Sequence, residues 1–197
     1  MKKIFILILF FIFSLNNFNI AYSISPDVFI QSTVNRASKV LSEDIPKNKK
    51  MDKLKIIAKE TVDIRGIGFY SLGKERINLN NSQIETYSKL FEKYFLKSFS
   101  SRLAEYTNPE IEVKNKEVLN KNYTIVKSIL VSTEDRPEIR IDWRVYTKNT
   151  NSPVIRDLII EGLSLARTQK EEFSSILNSN DGDINVLFET LKNFSNN

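Results

Sequence analysis

The chain is 197 residues long, carries 29 Lys and Arg against 24 Asp and Glu for a formal charge of +5, and contains neither cysteine nor histidine. Without cysteine there is no disulfide framework, thiolate nucleophile, zinc–thiolate cluster or lipobox-type lipid attachment; without histidine there is neither a Ser-His-Asp triad nor a His-ligated metal. With 41% hydrophobic and 27% charged residues the composition is that of a globular protein, and any chemistry would rest on carboxylates, Lys, Tyr or Ser.

Met1-Lys2-Lys3 is followed by the apolar run Ile4 to Phe13, a polar patch, and Ala21-Tyr22-Ser23. That run is too short to span ~30 Å of hydrocarbon at ~1.5 Å per residue. Ala21 and Ser23 are the small residues a signal peptidase reads, so the sequence predicts a signal peptide over residues 1–23, cleaved after Ser23. An exported single domain over 24–197 follows, without repeats or a linker that would divide it. Its modest positive charge gives no argument for nucleic acid.

Ser25-Pro26 starts a first helix as N-cap and first turn, with Ile30, Val34, Ala37 and Leu41 on one face, before Pro46 stops it. A second helix is expected from about Lys50 to Lys59 and a third from Thr61 to Leu72, closed by Gly73. The fourth, capped by Asn81 or Ser82, carries Ile84, Tyr87, Leu90, Phe91, Tyr94, Phe95, Phe99, Leu103 and Tyr106 as a wide aromatic stripe ending before Asn108-Pro109. The period then changes to two. Strands are expected at Ile111 to Val118, Tyr123 to Thr133, Glu138 to Thr147 and Val154 to Leu163, joined by short polar turns that imply an antiparallel meander. The third alternates cleanly: Ile139, Ile141, Trp143 and Val145 face one way, Arg140, Asp142, Arg144 and Tyr146 the other. Helices at about Leu165 to Leu177 and Ile184 to Phe194 close the chain. The expected fold is therefore α+β, with N-terminal helices packed on a curved four-stranded antiparallel sheet and the aromatic helix as the sheet's cover.

The chain carries few chemical motifs. Gly68 to Glu75 nearly spells a P-loop, but Glu75 stands where the Mg²⁺-binding hydroxyl belongs and no strand precedes it. Asp142, Asp157, Glu161, Glu171 and Glu172 give no sign of converging as an acid–base pair, and the Asn122 and Asn193 sequons carry no weight. Taken alone the aromatic stripe reads as core rather than as the wall of a ligand cavity, although periodicity does not distinguish a dry core from a greasy pocket.

Several motifs in fixed order are more specific. Ile139-Arg-Ile-Asp-Trp-Arg-Val145, then Asp157-Leu-Ile-Ile-Glu161-Gly162-Leu163-Ser164-Leu165, then Thr168-Gln169-Lys-Glu-Glu172-Phe173 are followed by the Asp181-Gly182-Asp183 turn and an apolar helix. Upstream stand Val62-Asp63-Ile64 through Leu72-Gly73-Lys74, and Gln83, Tyr87, Leu90 and Phe91. This pattern, spanning nearly the whole exported chain, resembles the MlaC family, the toluene-tolerance proteins that serve as auxiliary components of ABC transporters. Three positions depart from it: Gly68 replaces a larger residue, Glu75-Arg76 an aromatic pair, and Asn80-Asn81-Ser82 the usual helix start.

The resemblance implies a nuclear-transport-factor-like or cystatin-like fold and a periplasmic, monomeric, non-enzymatic phospholipid carrier with no cofactor beyond its lipid cargo. The carrier would hand lipid between an outer-membrane lipoprotein complex (MlaA) and an inner-membrane ABC transporter with an MCE-domain protein, maintaining outer-membrane lipid asymmetry. On that reading the cavity would be lined by Phe69, Tyr87, Phe91, Tyr94, Phe95 and Phe99 facing Ile141, Trp143, Val145, Leu158 and Ile160. Arg65, Lys74, Arg140 and Arg144 would meet a headgroup or a partner's rim, while Asp157, Glu161, Gly162 and Ser164 would be structural, and no residue catalytic or metal-binding. The alternatives are a small exported hydrolase using carboxylates in the same cavity, and an envelope protein with a dry core and no lipid.

Overall fold

The computed structural model describes residues 23–149 and 151–196. Apart from Ser23, the signal peptide expected over 1–23 lies outside the described residues. Helix α1 (Pro26–Ser42) begins as the sequence predicts, with extended Ser25 before Pro26 at the first helical position, where a missing N–H costs nothing. Helix α2 (Lys47–Thr61) is longer than expected, and α3 (Ile64–Leu72) starts later. The reason lies between them: Val62 is extended and forms a parallel bridge with Ile155, and the Asp63 N–H donates to the Ile155 carbonyl at 2.9 Å. Asp63 then caps α3, accepting from the Gly66 N–H at 2.9 Å, and Gly73 ends it at φ 61°, a value a side chain would strain.

A 3₁₀ turn (Gly73–Asn78) leads to α4 (Asn81–Leu103). Its cap is Asn80, one residue earlier than expected, in a reciprocal box with Gln83: each side-chain oxygen accepts from the other's backbone N–H, at 2.9 and 3.0 Å. The helix stops at Leu103, short of Tyr106.

Strands β1 (Ile111–Asn120), β2 (Tyr123–Leu130), β3 (Ile139–Tyr146), β4 (Val154–Ile160) and β5 (Leu163–Ser164) form one antiparallel sheet in chain order. The fifth strand comes from a hairpin inside the fourth expected strand. Glu161 and Gly162 both take positive φ, 49° and 84°, as a two-residue primed turn requires, and pair Ile160 with Leu163. Helices α5 (Leu165–Asn178) and α6 (Ile184–Asn196) follow. Among the described residues no helix is long and apolar enough to cross a membrane.

The α+β class and the meander hold, but the cover of the sheet is not the aromatic helix. Ile30 and Val34 of α1, fully or nearly fully buried, pack on Val126, Leu130, Ile141, Trp143, Val145 and Ile155. Trp143 Nε1 donates to the Ser128 hydroxyl at 2.8 Å within that layer. The aromatic helix instead lies among helices: Tyr87 and Phe91 pack against Ile67 and Leu72 of α3, Phe173 and Leu177 of α5, and Leu187 and Leu191 of α6. Both C-terminal helices are amphipathic and each needs an apolar partner; the wide aromatic face of α4 satisfies them, leaving the narrower face of α1 for the sheet. The molecule thus has two principal apolar layers, one helix–sheet and one helix–helix, and Val62 packs against both.

Candidate functional site

The expected wall of Tyr87, Phe91, Tyr94, Phe95 and Phe99 facing Ile141, Trp143, Val145, Leu158 and Ile160 is not formed. Tyr87 and Phe91 are buried in the helix layer with Tyr94, Phe95 and Phe99 half-buried beside them, while Ile141, Trp143 and Val145 belong to the sheet layer, against which Leu158 packs. Ile160, partly exposed, pairs with Ile141 across β3–β4 and closes the Glu161-Gly162 hairpin. The Tyr87 hydroxyl, desolvated so that its pKa is pushed far up, donates to the Gly68 carbonyl at 2.8 Å. Gly68 lets α3 approach that closely, because a Cβ there would stand 2.7 Å from the Phe91 ring. The near-P-loop is thus the end of a buried helix, with no loop to cradle a phosphate.

On the other face of the sheet, beside the helix layer, a cleft of about 680 Å³ opens between α3, α5, the β1–β2 turn and the sheet. It faces away from Trp143: Arg144 lies on the opposite pleat of β3, paired with Asp157 of β4, and Tyr123 is paired with Tyr146. Between Arg144 and Val145 the register of β4 jumps from Asp157 to Ile155. Such a bulge inserts one residue, here Arg156, and re-aims its side chain, so that Arg156 and Asp157 line the cleft together. Phe69, Tyr70 and Gly66 of α3, Arg76 of the 3₁₀ turn, Leu119 and Asn120 of the hairpin, and Ala166 and Lys170 of α5 complete the lining with Gly73.

The electrostatics are lopsided, four cations against one carboxylate. Asp157, 3% exposed, is fully engaged: it accepts from the Ser164 hydroxyl at 2.6 Å and the Ala166 N–H at 3.1 Å, and Arg144 stands 3.9 Å away. Ser164 in turn caps α5 by accepting from Arg167 N–H. Arg156 ties the cleft to the seam between the layers. Its guanidinium donates to Asp63 at 2.7 Å and to the Tyr123 hydroxyl at 2.9 Å, and lies 3.9 Å over the Tyr146 ring. Burial works against its charge, but the bonds to Tyr123 and Asp63 outweigh that and hold its pKa above the ordinary arginine value.

Of the predicted site residues, the cleft gathers Phe69, Arg144 and Asp157. Arg65 stacks over the Phe69 ring at 5.1 Å, whereas Lys74 points to solvent. Arg140 pairs with Glu161 at 3.0 Å out on the hairpin, lowering the Glu161 pKa. Gly162 completes that turn. Sequence reading missed Arg76, Arg156 and Lys170. Arg156 sits beside the motif residue Asp157, but simple alternation assigns it to the other face, and only the bulge corrects that.

A second depression, about 670 Å³, shares Tyr70 and Lys170 with the cleft and runs along α5, where Arg167 and Glu171 neutralise each other at 3.0 Å. The first cleft holds the larger excess of positive charge, four cations to one carboxylate against two to one in the second. Its single carboxylate has both oxygens occupied, so no pair of acids is available for general acid–base hydrolysis. Among the described residues no group of three or more acidic side chains is placed to hold a metal ion.

These features define a class: an α+β protein of layered helices on an antiparallel meander, with a cationic cleft between helices and sheet that the Asp63–Arg156 pair links to the seam at Val62. Residues 31–193 match the family model described as MlaC protein, and the chain belongs to the MlaC family. Among solved structures it is similar to the phospholipid-binding protein from Ralstonia solanacearum, determined in complex with a phospholipid. The TM-score is 0.73 at 16% identity, over 87% of this chain and 97% of that one, a likeness of fold. No curated protein sequence matches the chain significantly.

Proposed function

We propose that the protein is a phospholipid carrier whose headgroup end is the cationic cleft and whose acyl chains enter the seam between the two apolar layers. The observation that carries this reading is the juxtaposition, in a chain of the MlaC family, of that seam at Val62 and Ile155 with the cleft cations, joined by the Asp63–Arg156 pair. A diacyl lipid with on the order of 30 methylenes represents roughly 24 kcal/mol of gross transfer cost into water at ~0.8 kcal/mol each, so a carrier needs a continuous apolar path. The seam supplies one when the layers part, because the residues on either side are apolar. The similarity to a protein solved with a phospholipid supports the reading. Lipid held in the seam and lipid in a bilayer are both desolvated, so exchange is close to balanced and its direction is set by partners.

In this proposal the chain is exported to the periplasm by the 1–23 signal, acts as a shuttle between an outer-membrane lipoprotein complex and an MCE-type ABC transporter, and so maintains lipid asymmetry. It binds rather than transforms its cargo. The test is native mass spectrometry with lipid extraction on protein purified from the cell envelope. Stoichiometric phospholipid is expected; an empty protein that also takes no lipid from vesicles overturns the proposal in favour of a dry core.

A further inference from the structure

We propose that the cleft sorts its cargo by headgroup charge, taking phospholipids of net negative charge in preference to zwitterionic ones. This rests on the carrier reading above and names the lipid class that reading leaves open. The four cations differ in what already occupies them. Arg156 is balanced by Asp63 at 2.7 Å, and Arg144 faces Asp157, though at 3.9 Å and with its Nε buried and unpartnered. Arg76 and Lys170 have no carboxylate within ion-pair distance among the described residues. Each lies instead 5.4 Å over an aromatic ring, Arg76 over Phe69 and Lys170 over Tyr70, one from the 3₁₀ turn and one from α5. Two carboxylates thus offset two of the four cations and two positive charges are left facing the cleft.

A phosphodiester neutralises one of these and accepts hydrogen bonds from guanidinium and ammonium donors. The remainder of the headgroup then meets the second charge. A choline or ethanolamine group places a cation against it, a like-charge contact, whereas the glycerol of phosphatidylglycerol places only hydroxyls there. The discrimination comes from repulsion of the wrong head as much as from attraction of the right one.

The experiment loads delipidated protein from vesicles of equimolar phosphatidylglycerol and phosphatidylcholine and reads the bound ratio by native mass spectrometry. A preference of about tenfold for phosphatidylglycerol is expected at low salt, shrinking as ionic strength rises. In the Arg76→Gln/Lys170→Gln double variant the preference, read as the ratio of the two lipids whatever the total loaded, falls to within about twofold. Should that variant lose its fold by circular dichroism, the salt series on the unaltered chain makes the same test. Equal loading of both lipids by the unaltered protein, or a preference that survives the double variant or high salt, overturns charge sorting and leaves the carrier reading standing. Failure to take either lipid overturns the carrier reading itself.

Discussion

Replacing Gly68 by alanine pits local preference against packing, and the structure fixes which wins. Within helix α3 the substitution gains about 1 kcal/mol of helix propensity. The new methyl would stand 2.7 Å from Phe91 Cδ1 and 3.1 and 3.2 Å from Cγ and Cε1. Phe91 is 1% exposed and its ring is hemmed in by Tyr87, Phe95 and Phe173 at centroid distances of 5.7, 6.1 and 6.1 Å, so it cannot yield. Overpacking of this kind costs about 1–3 kcal/mol. If α3 backs away instead, the buried Tyr87–Gly68 hydrogen bond is lost, at about 1 kcal/mol. The balance is a destabilisation of about 1 kcal/mol, read as a lower urea midpoint at unchanged slope by circular dichroism. In a Phe91→Leu background the clash is relieved, and the alanine should cost at least 1 kcal/mol less, taking ~1 kcal/mol as the coupling between touching side chains. A raised midpoint for Gly68→Ala, or strict additivity with Phe91→Leu, refutes the packing argument.

Asp157→Ala removes the acceptor of the Ser164 hydroxyl and of the buried Ala166 N–H, and should destabilise by about 2–3 kcal/mol, a melting-temperature drop of roughly 5–10 °C by calorimetry. Asp27 pairs with Lys116 at 2.7 Å and accepts from Ser25, which together hold its pKa at about 2 against an ordinary 3.8. Its contribution is therefore complete above pH 3.8 and lost as pH falls towards 2, because the unfolded chain takes up the proton first. The pair is partly exposed, so Asp27→Asn should cost less than about 1 kcal/mol at pH 6, with urea midpoints of the two proteins converging near pH 2.

The parts of the fold legible in the sequence are those set by neighbours in the chain. Pro26, Gly73 and the Asn80 region mark helix ends through backbone chemistry alone, and the alternation through Ile139 to Val145 names a strand with one buried face. What covers that face is a competition among distant segments. The stripe on α4 has enough apolar surface to cover a sheet, but Phe173, Leu187 and Leu191 claim it first, and nothing local to α4 reports this. The site shows the same division. Arg144 is placed by alternation, whereas Arg156 reaches the cleft through a one-residue bulge, and Arg76 and Lys170 arrive from segments that only the tertiary fold brings opposite one another.

The interleaving of the two layers along the chain governs how a nascent copy behaves. Ile30 and Val34 stay without partners until Val126 through Ile155 have been made, and Tyr87 and Phe91 stay open until Phe173, Leu187 and Leu191 emerge near the end. An amino-terminal fragment must reach Leu158 to complete the helix–sheet layer and Leu191 to complete the helix–helix layer, so a growing chain carries exposed aromatic surface for much of its synthesis. Such surface invites holdases and keeps the polypeptide threadable, and locking into the final shape waits on the last two helices.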